Sequence, residues 1–219
     1  GTHNHVWRNC ITGFSVLSEE NSYLDGQYEF MKPYYEMALK QQEDGICMDY
    51  SSLKTSQTHY SGVFQNNQCA MLPMGSWFAA QMMGKVQAGE SECKNWGIAT
   101  LPHPDGVEAG TTFGSGSFVS VNAASEKKDL ALKYVQYATG EQGAMLTAEQ
   151  GFLPGMDLPE AMSEITGNEY YPQDENSKEA LKTVKVILDT PVNKNIGEID
   201  TALNTWHDNI MSGNVSLDE

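Results

Sequence analysis

The sequence predicts an α/β fold, and three observations carry that prediction. Short apolar runs at 69–74, 96–101 and 117–121 have the length and flanking turn residues of strands. The segments between and after them place apolar residues at helical spacing, and glycine or proline punctuates most junctions. Strands separated by helices bury their faces as helix layers on a sheet.

Residues 1–20 are mixed, with aromatic and polar residues alternating around His5, Trp7 and Phe14. A helix is predicted over 26–42, with Phe30, Tyr34 and Ala38 among its apolar positions. Pro33 suits the first helical turn and Gly45 a left-handed stop. After a loop, a short helix over 58–66 turns Tyr60, Val63 and Phe64 inward. Strand 69–74 leads into a helix over 76–88 that Gly89 ends. Strand 96–101 stops at Pro102-His-Pro-Asp-Gly, which is turn chemistry. Strand 117–121 follows FGSGS, and Ser125 is placed to cap the next helix, with Glu126 and Asp129 suited to its first turn. Leu130, Leu132, Tyr134, Val135 and Tyr137 give that helix its apolar face. A helix over 140–150 ends at Gly151. The polar stretch 156–176 reads as loop with a short helix near Pro159. Helices over 177–188 and 196–211 complete the chain. Trp206 reads as core, Gly213 as a stop, and Leu217 as the start of a further helix.

Composition narrows the function. The 219 residues allow a real core, and 40% hydrophobic content with 10% aromatics argues against disorder. Twenty-nine acids against 13 bases give a net charge of −16, which argues against nucleic acid, because no basic stripe exists to neutralise phosphates, and disfavours anionic membrane surfaces. No apolar run reaches the length of a membrane-spanning helix. The opening GTHNHVWRN lacks the basic and apolar regions of a signal peptide, so the chain is expected to be mature or part of a longer one. Cys10, Cys47, Cys69 and Cys93 form no CxxC pair, which argues against structural zinc. Cys69 reads as a small core residue, and a domain of this size does not require a disulfide.

No HExxH, GxSxG or phosphate-loop motif stands out, and a bare GxG is a weak signal. With 29 acids, some carboxylate pair always looks suitable for glycoside hydrolysis, so such pairs carry no weight. Catalysis is not expected. The informative segment is QCAMLPMGSW, where Gly75 and Ser76 turn the chain at a strand end and Trp77 follows. A tryptophan there is poorly placed for the core and well placed to offer a flat apolar face to a ligand. The competing reading packs it on the inner end of its own helix.

In this order the signals resemble the extracellular solute-binding proteins of ABC transporters, in particular the family that binds sugars. The matching pieces are FQNNQCAMLPMGSW, WGIATLPHPDG, FGSGSFVSVNAASEKKDLALKYVQYATGEQG and the closing GFLP with a last helix ending SGNVSLDE. Together they cover about 25–219. Asn66 and Asn67 stand where the family has a glycine turn, and asparagine tolerates left-handed geometry.

The resemblance implies a periplasmic-binding-protein-like lobe, with helices around a short mixed sheet and the N-terminal lobe largely missing. Residues 1–117 and 160–219 would form the C-terminal lobe, and 118–159 would cross to the N-terminal one. The chain would be the carbohydrate-binding subunit of a bacterial importer, or its C-terminal fragment. Its partners would be a sugar or oligosaccharide, permease transmembrane subunits and the missing lobe, with no cofactor and no metal. It would lie outside the cytoplasm, periplasmic or lipoprotein-anchored. A non-binding structural fragment or interaction module is the alternative, and a small carbohydrate-active enzyme a further one.

Sugar sites pair a stacking aromatic with hydrogen-bonding polar groups. By the resemblance, Trp77 stacks on a sugar ring, with Gly75 and Ser76 turning backbone N–H groups toward the cleft. Trp7, Asn4 and His5 fall where the family places an aromatic-rich cleft segment. Phe113, Gly114 and Ser115 fall where the chain passes between lobes. Glu198 and Asp200 open the last helix, where acids also suit the helix dipole.

Overall fold

In the computed structural model the described residues are 29–103, 105–106, 108–114, 117–182, 185–188 and 194–218. Nine helices and two strands are assigned among them. A 3-10 turn (Glu29–Met31) runs into α1 (Lys32–Glu43), where Pro33 sits in the first turn and its missing N–H costs no helical bond. Gly45 ends α1 at φ +69°, with its own N–H bonded to Gln42 O (3.0 Å) and that of Ile46 to Gln41 O (3.0 Å). Helix α2 (Tyr50–Ser56) falls in the predicted loop. Its start is Asp49, whose carboxylate accepts the Ser52 N–H at 2.9 Å, and its end is the left-handed Gln57 rather than a glycine. After α3 (Tyr60–Gln65), Asn67 takes φ +55°, the left-handed turn expected of asparagine at this point.

Helix α4 (Trp77–Gln87) is the most deeply packed, burying Phe78, Ala79, Ala80, Met82 and Met83 before Gly89 closes it at φ +70°. Strand β1 (Thr111–Gly114) follows. Helices α5 (Lys128–Thr139), α6 (Glu141–Glu149), α7 (Pro159–Gly167) and α8 (Glu175–Ala180) then separate it from β2 (Lys185–Leu188). The two strands pair in parallel, with Thr111 opposite Lys185 and Gly114 opposite Leu188. Helix α9 (Ile196–Met211) ends at Gly213, φ +71°.

The sheet departs from the expected mixed one: among the described residues it is a single parallel pair. Segments 69–74, 96–101 and 117–121 are not strands here. A strand requires a ladder partner as well as an apolar run. At 96–101 a side chain stands in for the neighbour: the Ile98 N–H donates to the buried Ser177 Oγ at 2.9 Å. The predicted helix 177–188 divides into α8 and β2, because Val186 and Ile187 are β-branched residues that favour pairing with β1 over a helix. Ser125 does not cap α5 directly; its Oγ accepts the Lys127 N–H at 3.1 Å, and the helix opens one residue later.

Three apolar clusters hold the fold. One joins Met31, Tyr35 and Ala38 of the first helical region to Tyr50 and to Met211 of α9. A second gathers Met83, Ala148, Ala161, Ile165, Tyr171 and Leu181. The third packs Phe78, Met82 and Cys93 with Tyr60 and Phe64, whose rings meet Phe78 edge-on at 5.6 and 5.7 Å. On α9 the expected core residue Trp206 is 51% exposed, and the buried neighbour is His207. Ile196, Ile199 and Leu203 define the packed stripe, and continuing it at helical spacing reaches 207 rather than 206. There the Tyr35 hydroxyl meets His207 Nδ1 at 3.0 Å.

Burial pushes the Tyr171 phenol up to about 12, and its hydroxyl donates to Ser177 O. Below pH ~10 both folded and unfolded phenols are neutral. Between pH ~10 and about 12 the unfolded phenol ionises first, so stability falls as pH rises through that window. Melting temperatures across pH 9–12 are expected to fall less steeply in Tyr171→Phe than in the parent.

Candidate functional site

Trp77 is the first residue of α4, and its surroundings follow from the segment that leads to it. Leu72 and Met74 pack on the Phe78 cluster, while Met71 is 83% exposed. The inward and outward alternation is that of a strand, without the ladder. Gly75 and Ser76 then start the helix: the Phe78 N–H bonds Gly75 O and the Ala79 N–H bonds Ser76 O, each at 3.0 Å. These carbonyls engage two of the first-turn donors.

The four residues from Trp77 to Ala80 divide sharply. Phe78, Ala79 and Ala80 go into the core, whereas Trp77 stays 50% exposed. Its indole folds back over Gly75, where a Cβ would stand 2.0–2.4 Å from ring atoms Cζ3, Cη2 and Cε3. A side chain at 75 would collide with the neighbouring ring and push it aside. One side of the indole is thus seated on backbone, and much of the rest faces solvent. Gly75→Ala is expected to displace the ring from this seat, seen as a shift in tryptophan emission with little change in far-ultraviolet circular dichroism.

The remaining expected site residues lie on other elements. Glu198 is exposed in the first turn of α9, and Asp200 is partly exposed and accepts the Asn204 Nδ2–H at 3.0 Å along the same helix. Gly114 ends β1 in regular pairing, and a Cβ there would meet only Val186 at an ordinary 3.7 Å, so no unusual backbone is required. Phe113 pairs with Ile187 through the backbone. Asn4, His5, Trp7 and Ser115 lie outside the described residues. Of the rest, the structure joins Gly75, Ser76 and Trp77 in one turn, Phe113 and Gly114 in one strand, and Glu198 and Asp200 in one helix. Sequence reasoning passed over Met71, which the Leu72/Met74 alternation would have marked as outward-facing.

A flat apolar ring anchored on a buried helix can stack on the C–H face of a sugar ring, with hydroxyls left for polar neighbours. Among the described residues no group of three or more His, Cys, Asp or Glu could hold a metal ion. The described helices include none long and apolar enough to cross a membrane.

The profile of a family described as bacterial extracellular solute-binding protein matches residues 13–145, more than half of the chain. Among solved structures, the chain is similar to a sugar transporter from Rhizobium etli in an open conformation, at 42% identity and a TM-score of 0.80. That similarity covers 98% of this chain and 55% of the other, so the chain spans about half the length of that protein. Among curated proteins nothing matches.

Proposed function

We propose that this chain, which belongs to the bacterial extracellular solute-binding proteins, captures a sugar or oligosaccharide for delivery to the permease of an ABC importer. The observation that carries the reading is the half-exposed Trp77 indole, seated on Gly75 at the start of a helix whose next three residues are buried. The apolar face of such a ring is unfavourably exposed to water in the free protein, and that exposure is relieved when a sugar face covers it. The similarity to a sugar transporter supports the same ligand class.

In this reading the ligand lies between two lobes. Residues 1–117 and 160–219 build one, with Trp77, Gly75 and Ser76 on its cleft side. Glu198, Asp200 and the segment holding Phe113, Gly114 and Ser115 offer further contacts, as do Asn4, His5 and Trp7. Residues 118–159 belong with the facing lobe. The exposed side of α5 supports this division: Leu130, Tyr134 and Tyr137, spaced i, i+4 and i+7, are 65%, 65% and 48% exposed, and Phe118 ahead of them is 88% exposed. Ligand contacts to both lobes would bias a hinge closure, and the closed form would dock on the permease. The protein would work outside the cytoplasm, free in the periplasm or held by a lipid anchor.

Tryptophan fluorescence of the complete gene product, titrated with a panel of mono- and oligosaccharides, tests the reading. A saturable change with at least one sugar is expected, with no release of reducing ends over time. A folded protein that responds to no sugar would overturn it.

A further inference from the structure

The chain that leads to the Trp77 turn has the side-chain pattern of a strand and none of its backbone bonds. Leu72 and Met74 pack on the Phe78 cluster, while Met71 and Pro73 face outward and Met71 is 83% exposed. A period of two is the pattern of a strand covered on one face. Among the described residues, no N–H or C=O from Met71 to Met74 is paired with another backbone group. The segment is fixed at both ends: the Gln68 N–H bonds Val63 O at 2.9 Å, and Gly75 O accepts the Phe78 N–H at 3.0 Å. Backbone held in this way is an open template for strand pairing. Its two edges differ. Successive residues of a strand turn their N–H and C=O groups to alternate edges, so Leu72 and Met74 serve one edge and Met71 and Pro73 the other. Proline has no N–H, so only the Leu72/Met74 edge carries a full set of donors. The sheet assigned among the described residues is open as well. Val186 of β2 is 59% exposed, whereas parallel strands are normally covered on both faces.

We propose that residues 71–74 are an edge strand of the complete protein, paired along the Leu72/Met74 edge with a strand of the same gene product that lies outside this chain. The solved sugar transporter supports that occupant: this chain covers 55% of it, so nearly half of that protein has no counterpart here. An incoming strand about 4.8 Å away lays side chains beside Met71 on the outer face and beside Leu72 and Met74 on the inner one. Apolar residues on both of its faces are therefore expected. The pairing fixes the direction in which the chain enters the Gly75 turn, and with it the position of the Trp77 ring. It does not depend on what that ring binds.

Nuclear magnetic resonance of the isotope-labelled, complete gene product tests the pairing. The Leu72 and Met74 amides are expected to exchange at least ~100-fold more slowly than unpaired amides, as those of α4 do, while the Met71 amide exchanges freely. Cross-strand proton contacts from Leu72 or Met74 should run to residues outside this chain, which identifies the occupant. Fast exchange at Leu72 and Met74, in a protein whose α4 amides are protected, would overturn the proposal. So would cross-strand contacts to residues 1–219, whether of the same molecule or of a second copy. A protected Met71 amide would place a strand on the proline edge and also overturn it.

Discussion

Trp77→Ala is expected to weaken sugar binding by about 2–3 kcal/mol, or 30- to 150-fold, while leaving stability nearly unchanged. The half-exposed indole makes little of the core, so its loss should shift unfolding by less than ~1 kcal/mol. The adjacent residue gives the opposite result. Phe78 is 8% exposed and packs edge-on against Tyr60 and Phe64, and Phe78→Ala is expected to cost about 3–5 kcal/mol of stability. Calorimetric titration and denaturant unfolding of both variants separate the two roles. Equal losses of stability would place Trp77 in the core and remove it from the site.

The second large effect concerns the exposed stripe on α5. If 118–159 docks on a facing lobe, Leu130 and Tyr134 are buried in the complete protein, and each contributes about 1.5–3 kcal/mol through apolar burial. The pair Leu130→Glu and Tyr134→Glu is then expected to cost roughly 3–6 kcal/mol in the complete gene product, with lowered sugar affinity. Glutamates on a solvated helix face instead change stability by ~0.5 kcal/mol or less. Denaturant unfolding of the variant distinguishes the outcomes. A neighbouring side of the helix is already in contact: the close approach of Gly143 to Ala138, where a Cβ would meet the carbonyl oxygen at 2.2 Å, seats α6 on α5.

The helices were legible in the sequence because their signals are local. Pro33, Gly45, Gly89, Gly151 and Gly213 marked starts and stops, and α9 matches its expected span residue for residue. Helix α2 was missed because it is only 7 residues long and ends at a left-handed glutamine instead of a glycine, although its aspartate cap was there to be read. The sheet was harder to read, because pairing is a long-range property. Nothing near 111–114 says that its partner lies at 185–188, and the apolar run at 96–101 has its Ile98 N–H bonded by Ser177, 79 residues away. The exposed tryptophan of the candidate site was legible from the Gly-Ser turn before it. The seat that Gly75 makes for the ring was not, because it depends on the indole folding backward over the turn.

The most direct test of sugar capture is isothermal calorimetry of the complete gene product against sugars, amino acids and polyamines at equal concentrations. The account predicts saturable heat with at least one sugar, none with the other classes, and loss of that heat in Trp77→Ala. Binding of a non-sugar solute alone, or sugar binding that Trp77→Ala leaves unchanged, would contradict it.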